Sequence, residues 1–597
     1  MRLNSDRAFK HRLKNKGERP ALAWTLSILW LLLIGGLAFF WNLGSTGLVD
    51  ETEPLFAEAA RQMTVTGNWL TPFFDGETRF DKPILIYWLM AIAYKILGVN
   101  EWAVRLPSAL SAMGLISLGF YTLWSFGASS PELGVRSQPD QSPDPRQPYW
   151  FCAVLGSALM ALNIETIAWA RTGVSDMLLT GCMGGALLSF FLGYAQPSKP
   201  AVQARWYLTF YVLLALAVLT KGPVGIVLPV LIIAAFLLYV GNALEVLREM
   251  RVLWGGLLFL AIALPWYILV IQANGWAYIN SFFGYHNLER FTRVVNHHSK
   301  PWYFYFFVVL LGFAPWSIYL PAAIAKLKFW QRSRWRSSHR STQLGLFALF
   351  WLIGIFCFFT IAVTKLPSYV LPLMPAAAIL VALLWSDHLS WMKNTSLLWS
   401  GWLNVVLLLV VAGAFFCVPY LLGSDPAVPN IRSYVQQSGL PVVGAAIWVI
   451  IAVATAVLLW HHRWRGLLSV NLLGFMAFLI FVLMPTYVLI DQMRQLPLRE
   501  LSAIAAQAQQ PGEDLIMVGF KKPSVVFYAQ RPVNYISSTE HAVEQIEKMS
   551  VTQPQPPSVL ILSQPEKLKK MGLQSAQYQN LGKAGAYQLI RVSKSEF

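Results

Sequence analysis

Few ionisable side chains interrupt the apolar runs of this chain, and those that do gather in four clusters whose residue types could do chemistry. The first is Asp50-Glu51-Thr52-Glu53. Asp50 ends an apolar stretch, where burial raises the basicity of a carboxylate and suits it to act as a general base. Glu51 and Glu53 suit a solvated helix start equally well, since acids favour a helix N-terminus and Pro54 fits the first turn. The second cluster is Arg79-Phe80-Asp81-Lys82-Pro83, and the third joins Arg171 and Asp176 to Lys221-Gly222-Pro223. The fourth runs from His286 through Glu289-Arg290 to His297-His298-Ser299-Lys300, and Lys365 adds one more cation. A single lysine at the end of an apolar run usually snorkels. Several cations (Lys82, Lys221, Arg290, Lys365) on one face, opposite a carboxylate, suit a phosphate group better. His286, His297 and His298 near acidic residues are candidates for a divalent metal, although they lack HExxH-like spacing. Interfacial hydrogen bonding is the alternative reading of these histidines.

The elements that must carry these clusters are membrane helices. Hydrophobic residues make up 56% of the 597-residue chain and charged residues 13%, against about 25% charged in soluble domains. Apolar runs of about 20 residues recur near 21–43, 105–126, 150–167, 177–194, 205–220, 222–240, 252–273, 302–323, 343–363, 369–385, 396–421, 442–460 and 467–490, giving about thirteen spans. The net charge of +17 does not point to nucleic acid. Its lysines and arginines crowd the N-terminal stretch and the loops 324–341 and 461–465, as they do in cytoplasmic loops of membrane proteins. Alternation from a cytoplasmic N-terminus puts all of these on one side. It puts 44–104, 168–176, 274–301, 364–367 and the tail from about 491 on the other. Cys152, Cys182, Cys357 and Cys417 form no CxxC pair and imply neither a disulfide framework nor a zinc knuckle.

Two regions depart from the span pattern. In 44–104, Glu53–Met63 reads as a short helix and Pro83–Leu97 as an interfacial helix; a second crossing there would upset the charge parity. Beyond 490, short apolar runs at 514–519, 524–528, 558–562 and 587–591 separated by Gly, Pro and polar residues read as strands alternating with helices. The expected organisation is a transmembrane domain over 1–490 and a small α/β domain over 491–597, with a Pro-rich flexible loop at 131–148.

The ordered set Asp50-Glu51-Thr52-Glu53, Gly67-Asn68-Trp69-Leu70, Phe80-Asp81-Lys82-Pro83, Tyr87-Trp88, Arg105-Leu106-Pro107, Arg171 with Asp176, Leu219-Thr220-Lys221-Gly222-Pro223, Asn287 with Arg290-Phe291, Pro301-Trp302 and Lys365-Leu366-Pro367-Ser368-Tyr369 resembles the aminoarabinose transferases that modify lipid A. More broadly it resembles the GT-C glycosyltransferases of the protein O-mannosyltransferase superfamily. The likeness runs collinearly to about residue 385; beyond 395 it is one of hydropathy only. Pro54-Leu55-Phe56 stands where the family often has tyrosine, and Ile84 follows Lys82-Pro83 where a second proline is common.

The resemblance implies a mainly α GT-C fold and an inverting transfer of a sugar from a polyprenyl (undecaprenyl) phosphate carrier to a lipid A-like, glycan or protein acceptor. It implies that Asp50 is catalytic, that Lys82, Lys221 and Arg290 grip the carrier phosphate with Tyr369 in support, and that Asp176 orients the site. Glu53, Asp81 and Lys365 are expected beside it, orienting substrate. Expulsion of a lipid phosphate monoester needs preorganised positive charge, which the cations supply without a cofactor, a divalent metal remaining the alternative. The expected setting is the inner membrane, with the active site and tail domain periplasmic and membrane lipids as neighbours. A transporter or flippase of polyprenyl-linked lipids is the rival reading. Transporters tend toward internal repeats and mid-bilayer charges, whereas here no duplication is visible and the charges sit at span ends. A non-catalytic scaffold would leave the cation cluster unexplained.

Overall fold

The computed structural model describes residues 20–127, 147–289, 300–386, 395–552 and 556–597. Among them, ten helices are long and apolar enough to cross a membrane, and twelve if each of two bent pairs counts as one span. The protein is a multi-pass membrane protein. The expected span at 222–240 is the 17-residue helix Val224–Val240, about 25 Å long at 1.5 Å per residue and so shorter than the other crossings. Ser175–Tyr194 and Pro367–Ser386 are almost wholly enclosed by protein, while Leu22–Phe40 and Leu397–Leu421 present apolar faces outward.

Two expected straight spans are bent. Tyr149–Ala161 turns by 64° into Ile164–Ala170. Buried Asn163 causes the break: its amide donates back to the Leu159 and Met160 carbonyls, and its oxygen caps the new helix at Thr166 N. Phe304–Gly312 turns by 109° into Trp316–Lys326, where Pro315 cannot continue the ladder. Polar groups at the break are answered from within and from neighbours. Asn404 donates to the Pro315 carbonyl (3.0 Å), Ser317 to Leu310 O (2.7 Å), and Trp316 to Leu162 O (2.8 Å). Such internal satisfaction is what irregular backbone needs at membrane depth. The expected loop at 274–301 is also different in its described part. The helix from Val252 bends at Gly275 (φ +59°) and helical structure continues to Glu289.

Between the first two spans lie helices Glu53–Thr66 and Leu85–Leu97, joined by a hairpin of β1 (Phe73–Phe74) and β2 (Glu77–Thr78). Gly67 ends the first helix in the left-handed region at φ +73°. Leu85–Leu97 buries Ile86, Tyr87, Met90 and Tyr94 and leaves Ile92, Ile96 and Leu97 exposed, which suits a helix lying at a bilayer surface.

The tail contains β3 (Leu515–Val518), β4 (Asn534–Ile536), β5 (Ser558–Ser563), β6 (Tyr578–Ala584) and β7 (Tyr587–Ser593) in the order β4-β3-β5-β7-β6. β3 runs parallel to β4 and β5, while β7 pairs antiparallel with β5 and β6. Alternation sends Leu515 and Met517 to one apolar layer and Ile516 and Val518 to the other, with helices on both faces. The run 524–528, expected as a strand, is the helix Ser524–Ala529. A short apolar run bounded by proline does not distinguish a buried strand from a buried helix, and here four of its residues pack into core layers.

One buried contact ties the segment after the first span to the rest. Arg105 (2% exposed) meets Glu53 (1% exposed) through two bonds, Nε to Oε1 at 2.8 Å and Nη2 to Oε2 at 3.0 Å. Its remaining N–H groups donate to the carbonyls of Leu43, Thr46 and Gly47. Glu53 in turn accepts from Val49 N (2.8 Å) and Gly173 N (2.7 Å). Removing one partner of a buried, hydrogen-bonded ion pair costs about 3–5 kcal/mol. Arg105→Ala should therefore lower the thermal midpoint of the detergent-solubilised protein steeply, whereas exposed Lys548→Ala should leave it within about 1 °C; equal midpoints would refute the clamp.

Candidate active site

The backbone brings the second and third sequence clusters together. Asp176 lies in the first turn of Ser175–Tyr194, and Lys221 ends Pro200–Lys221 beside it. The ammonium donates to Asp176 Oδ1 at 2.7 Å, and Ser368 also hydrogen-bonds the Asp176 carboxylate. Lys221 Nζ stands 5.3 Å above the Tyr369 ring, which rests 5.0 Å from that of Phe359. The turn that aims Lys221 is a single glycine. Gly222 sits at φ +78°, and a Cβ there would come within 2.6 Å of the Phe282 ring.

Asp81 and Lys82 enter from the segment before Leu85–Leu97. Arg79 pairs with Asp81 at 2.5 Å, and Lys82 Nζ donates to the Asp81 carbonyl at 2.9 Å. Asp81, Lys82, Asp176, Lys221, Ser368 and Tyr369 line the polar end of a cavity of about 380 Å³. Its other walls are apolar, among them Phe282, Phe283, Phe358, Phe359, Val227 and Leu228. Ammonium groups in so apolar a setting attract an anionic oxygen far more strongly than they do in water.

The remaining expected residues lie elsewhere. Lys365 is buried outside the cavity lining, and its ammonium donates to the Ala362 carbonyl. Glu53 is committed to Arg105 and the backbone at Val49 and Gly173, so it positions the chain and does not face the cavity. Arg171 turns away to the Trp41 and Asn42 carbonyls at the end of the first span. Arg290, His297 and His298 lie outside the described residues, as does the Pro-rich stretch 131–146; the backbone at His286 is helical. Among the described residues, no group of three or more His, Cys, Asp or Glu side chains is arranged to hold a metal.

Asp50 does not line the cavity. It lies half-buried under the C-terminal domain, where Oδ1 accepts from Ser524 N at 2.9 Å and Oδ2 from the Ser524 hydroxyl. Burial raises its pKa to about 6, while the Ser524 bonds and nearby Lys522 oppose that rise and Glu51 adds to it. Sequence reasoning missed Ser524 and named Ser368 only within an ordered motif, without a role. Ser524 opens a short helix and Ser368 lies in the 3-10 helix Pro367–Leu373, and each meets its aspartate only through the tertiary fold, so spacing along the chain gives neither a role. Arg105 was visible only as part of an ordered motif.

Residues 508–597 match the family model described as the C-terminal domain of cyanobacterial RgtA-type glycosyltransferases. The chain is 30% identical over 343 residues to the undecaprenyl phosphate-alpha-4-amino-4-deoxy-L-arabinose arabinosyl transferase of Shewanella sediminis, covering 57% of this chain and 56% of that one. It is 27% identical over 440 residues to the second such transferase of Proteus mirabilis, covering 73% of each. The chain thus spans little more than half the length of the first of these relatives. The crystal structure of ArnT from Cupriavidus metallidurans in the apo state superimposes with a TM-score of 0.74 at 21% identity, over 96% of this chain and 99% of that one. The same protein bound to undecaprenyl phosphate gives 0.73 over 95% and 98%. The bundle, the helices after the first span and the terminal sheet domain together make a GT-C fold, and the chain is similar in sequence to the aminoarabinose transferases over 57–73% of its length.

Proposed function

We propose that this protein is an inverting glycosyltransferase that moves a sugar from undecaprenyl phosphate to an acceptor on the periplasmic side of the inner membrane. The observation that carries this reading is the cavity: lysines and carboxylates at its polar end, aromatic and aliphatic side chains along the rest. That arrangement suits a phosphate attached to a hydrocarbon chain. The names of the relatives favour 4-amino-4-deoxy-L-arabinose as the sugar, and a lipid A-like molecule is the acceptor we favour over a glycan or protein.

In this reading Lys82 and Lys221 face the carrier phosphate, Tyr369 braces Lys221, and Asp176 and Asp81 hold the two ammonium groups in place. The bond between the anomeric carbon and the carrier oxygen breaks, and its electron pair leaves on the phosphate monoester, where the lysines meet the developing charge. The acceptor oxygen bonds to the anomeric carbon from the opposite face, which inverts it. With a hydroxyl acceptor, Asp50 takes the proton; with a phosphate acceptor it orients. This scheme requires the sugar to reach from the cavity to the loop that carries Asp50, which does not itself line the cavity. The lysines also make the reaction independent of metal in this scheme.

Purified protein given undecaprenyl phosphate-aminoarabinose and lipid A should release undecaprenyl phosphate, and no release from this donor or a panel of other polyprenyl-phosphate sugars would overturn the reading. Asp50→Asn should abolish turnover while the protein still binds the carrier. Because the ionised carboxylate is the working form, wild-type turnover should fall as pH drops through about 6. Lys82→Ala should weaken carrier binding tenfold or more, measured by fluorescence titration with a labelled lipid phosphate, since one charge-assisted contact is worth about 1.5–3 kcal/mol. Extensive dialysis against EDTA should leave turnover within about twofold; loss restored by a divalent cation would instead assign the histidines to a metal.

A further inference from the structure

The loop that carries Asp50 is held on one side by the Arg105–Glu53 pair and on the other by residues from the far end of the chain. Gly47 N donates to Asp491 Oδ1 at 2.6 Å, and Leu48 N donates to the Tyr528 hydroxyl at 2.9 Å. That hydroxyl donates onward to Glu101 Oε1 at 2.9 Å, and Arg499 reaches both Glu101 and Asp491. Ser524 then engages both oxygens of Asp50, one through its backbone N–H and the other through its hydroxyl. Ser524 itself is 1% exposed and opens the helix Ser524–Ala529, whose Val525 and Val526 sit in an apolar layer of the C-terminal domain. Its position is therefore set by the domain core and not by the loop it grips.

We propose that Ser524 is the positioning residue for Asp50, so that the C-terminal domain supplies part of the apparatus for group transfer. This rests on the role given to Asp50 above. A carboxylate on a loop has free rotation about two bonds. Two donors from one rigid residue, one per oxygen, fix its plane and leave an outward lone pair on each oxygen for the acceptor. The same two bonds favour the ionised form. The other charged or titratable groups facing Asp50 are Glu51 on its own loop and Lys522, Tyr535 and Tyr587 from the C-terminal domain. Lys522 also meets Glu51 at 3.5 Å. Of these, Lys522 favours the carboxylate and Glu51 opposes it, so Ser524 and Lys522 act in the same sense.

The test compares full-length wild type, Ser524→Ala, Ser524→Thr and Asp50→Asn in detergent or nanodiscs. Turnover of undecaprenyl phosphate-aminoarabinose is followed from pH 5 to 9, and hydrogen exchange is followed in peptides covering 44–56. Ser524→Ala should lower kcat about tenfold or more near pH 6 with KM for the donor little changed. It should also move the acid limb of the profile upward by about one pH unit, the scale of one lost charge-assisted bond. Ser524→Thr, which keeps the hydroxyl, should restore the wild-type limb. Exchange across 47–53 should rise in Ser524→Ala and not in Ser524→Thr. Faster exchange with an unmoved acid limb would make Ser524 a docking contact only and overturn the proposal, as would wild-type exchange and kinetics in Ser524→Ala. Full turnover by Asp50→Asn would instead remove the reading on which it rests.

Discussion

The interaction on which the rest of the architecture depends is the buried pairing of Arg105 with Glu53. A charge pair shut away from water is expensive unless every donor and lone pair is answered. Here the guanidinium fork spans Glu53 and three carbonyls of the chain after the first span, and Glu53 reaches a backbone N–H on each side. Lysine could not substitute, because a single ammonium cannot present donors in so many fixed directions. The pair joins four pieces of chain: the end of the first span, the helix Glu53–Thr66, the helix Glu101–Phe126 and the turn at Gly173. Gly173 admits no side chain there, since a Cβ would lie 2.3 Å from Val104 and 3.2 Å from Glu53 Oε1. Asp50, three residues before Glu53, inherits its place from this lock below and from the C-terminal domain above.

The cavity follows a related logic with a different outcome. Lys82 and Lys221 line the cavity with Asp81 and Asp176, and Arg79, outside the lining, pairs with Asp81, so the cluster as a whole has three positive groups and two negative, a surplus of one. Each lysine has an oxygen of the protein within hydrogen-bond reach, so holding an ammonium in an apolar setting is not prohibitive. The surplus still favours an arriving anion. Preorganisation of this kind lowers the reorganisation needed as charge develops on a leaving group.

Much of this was readable in the chain because the signals were local or strongly periodic. Long apolar runs gave the spans, and Pro83–Leu97 gave a surface helix close to the observed Leu85–Leu97. The clusters around Lys82, Asp176, Lys221 and Tyr369 were named in advance, and the structure lines one cavity with them. What escaped was set by tertiary context. Asn163 and Pro315 bend their helices only because neighbouring backbone and side chains absorb the freed polar groups. The run 524–528 became a helix because its apolar residues pack between layers on a geometry that periodicity over five residues cannot specify. Glu53 looked like an exposed helix start and is instead fully enclosed, since its partner lies 52 positions along the chain.

The reversal at Gly222 has a bearing on how this fold can vary. Helix Pro200–Lys221 and helix Val224–Val240 are separated by only two residues, one a glycine pressed against an aromatic ring and the other a proline with a fixed φ. Connections at membrane surfaces ordinarily absorb insertions and deletions with little penalty. This one has no slack: an added residue would rotate the end of the preceding helix by about 100° and swing Lys221 away from both Asp176 and Tyr369. Length changes among relatives should therefore be accommodated elsewhere, leaving this joint as a fixed hinge pin in a bundle whose other loops are free to drift.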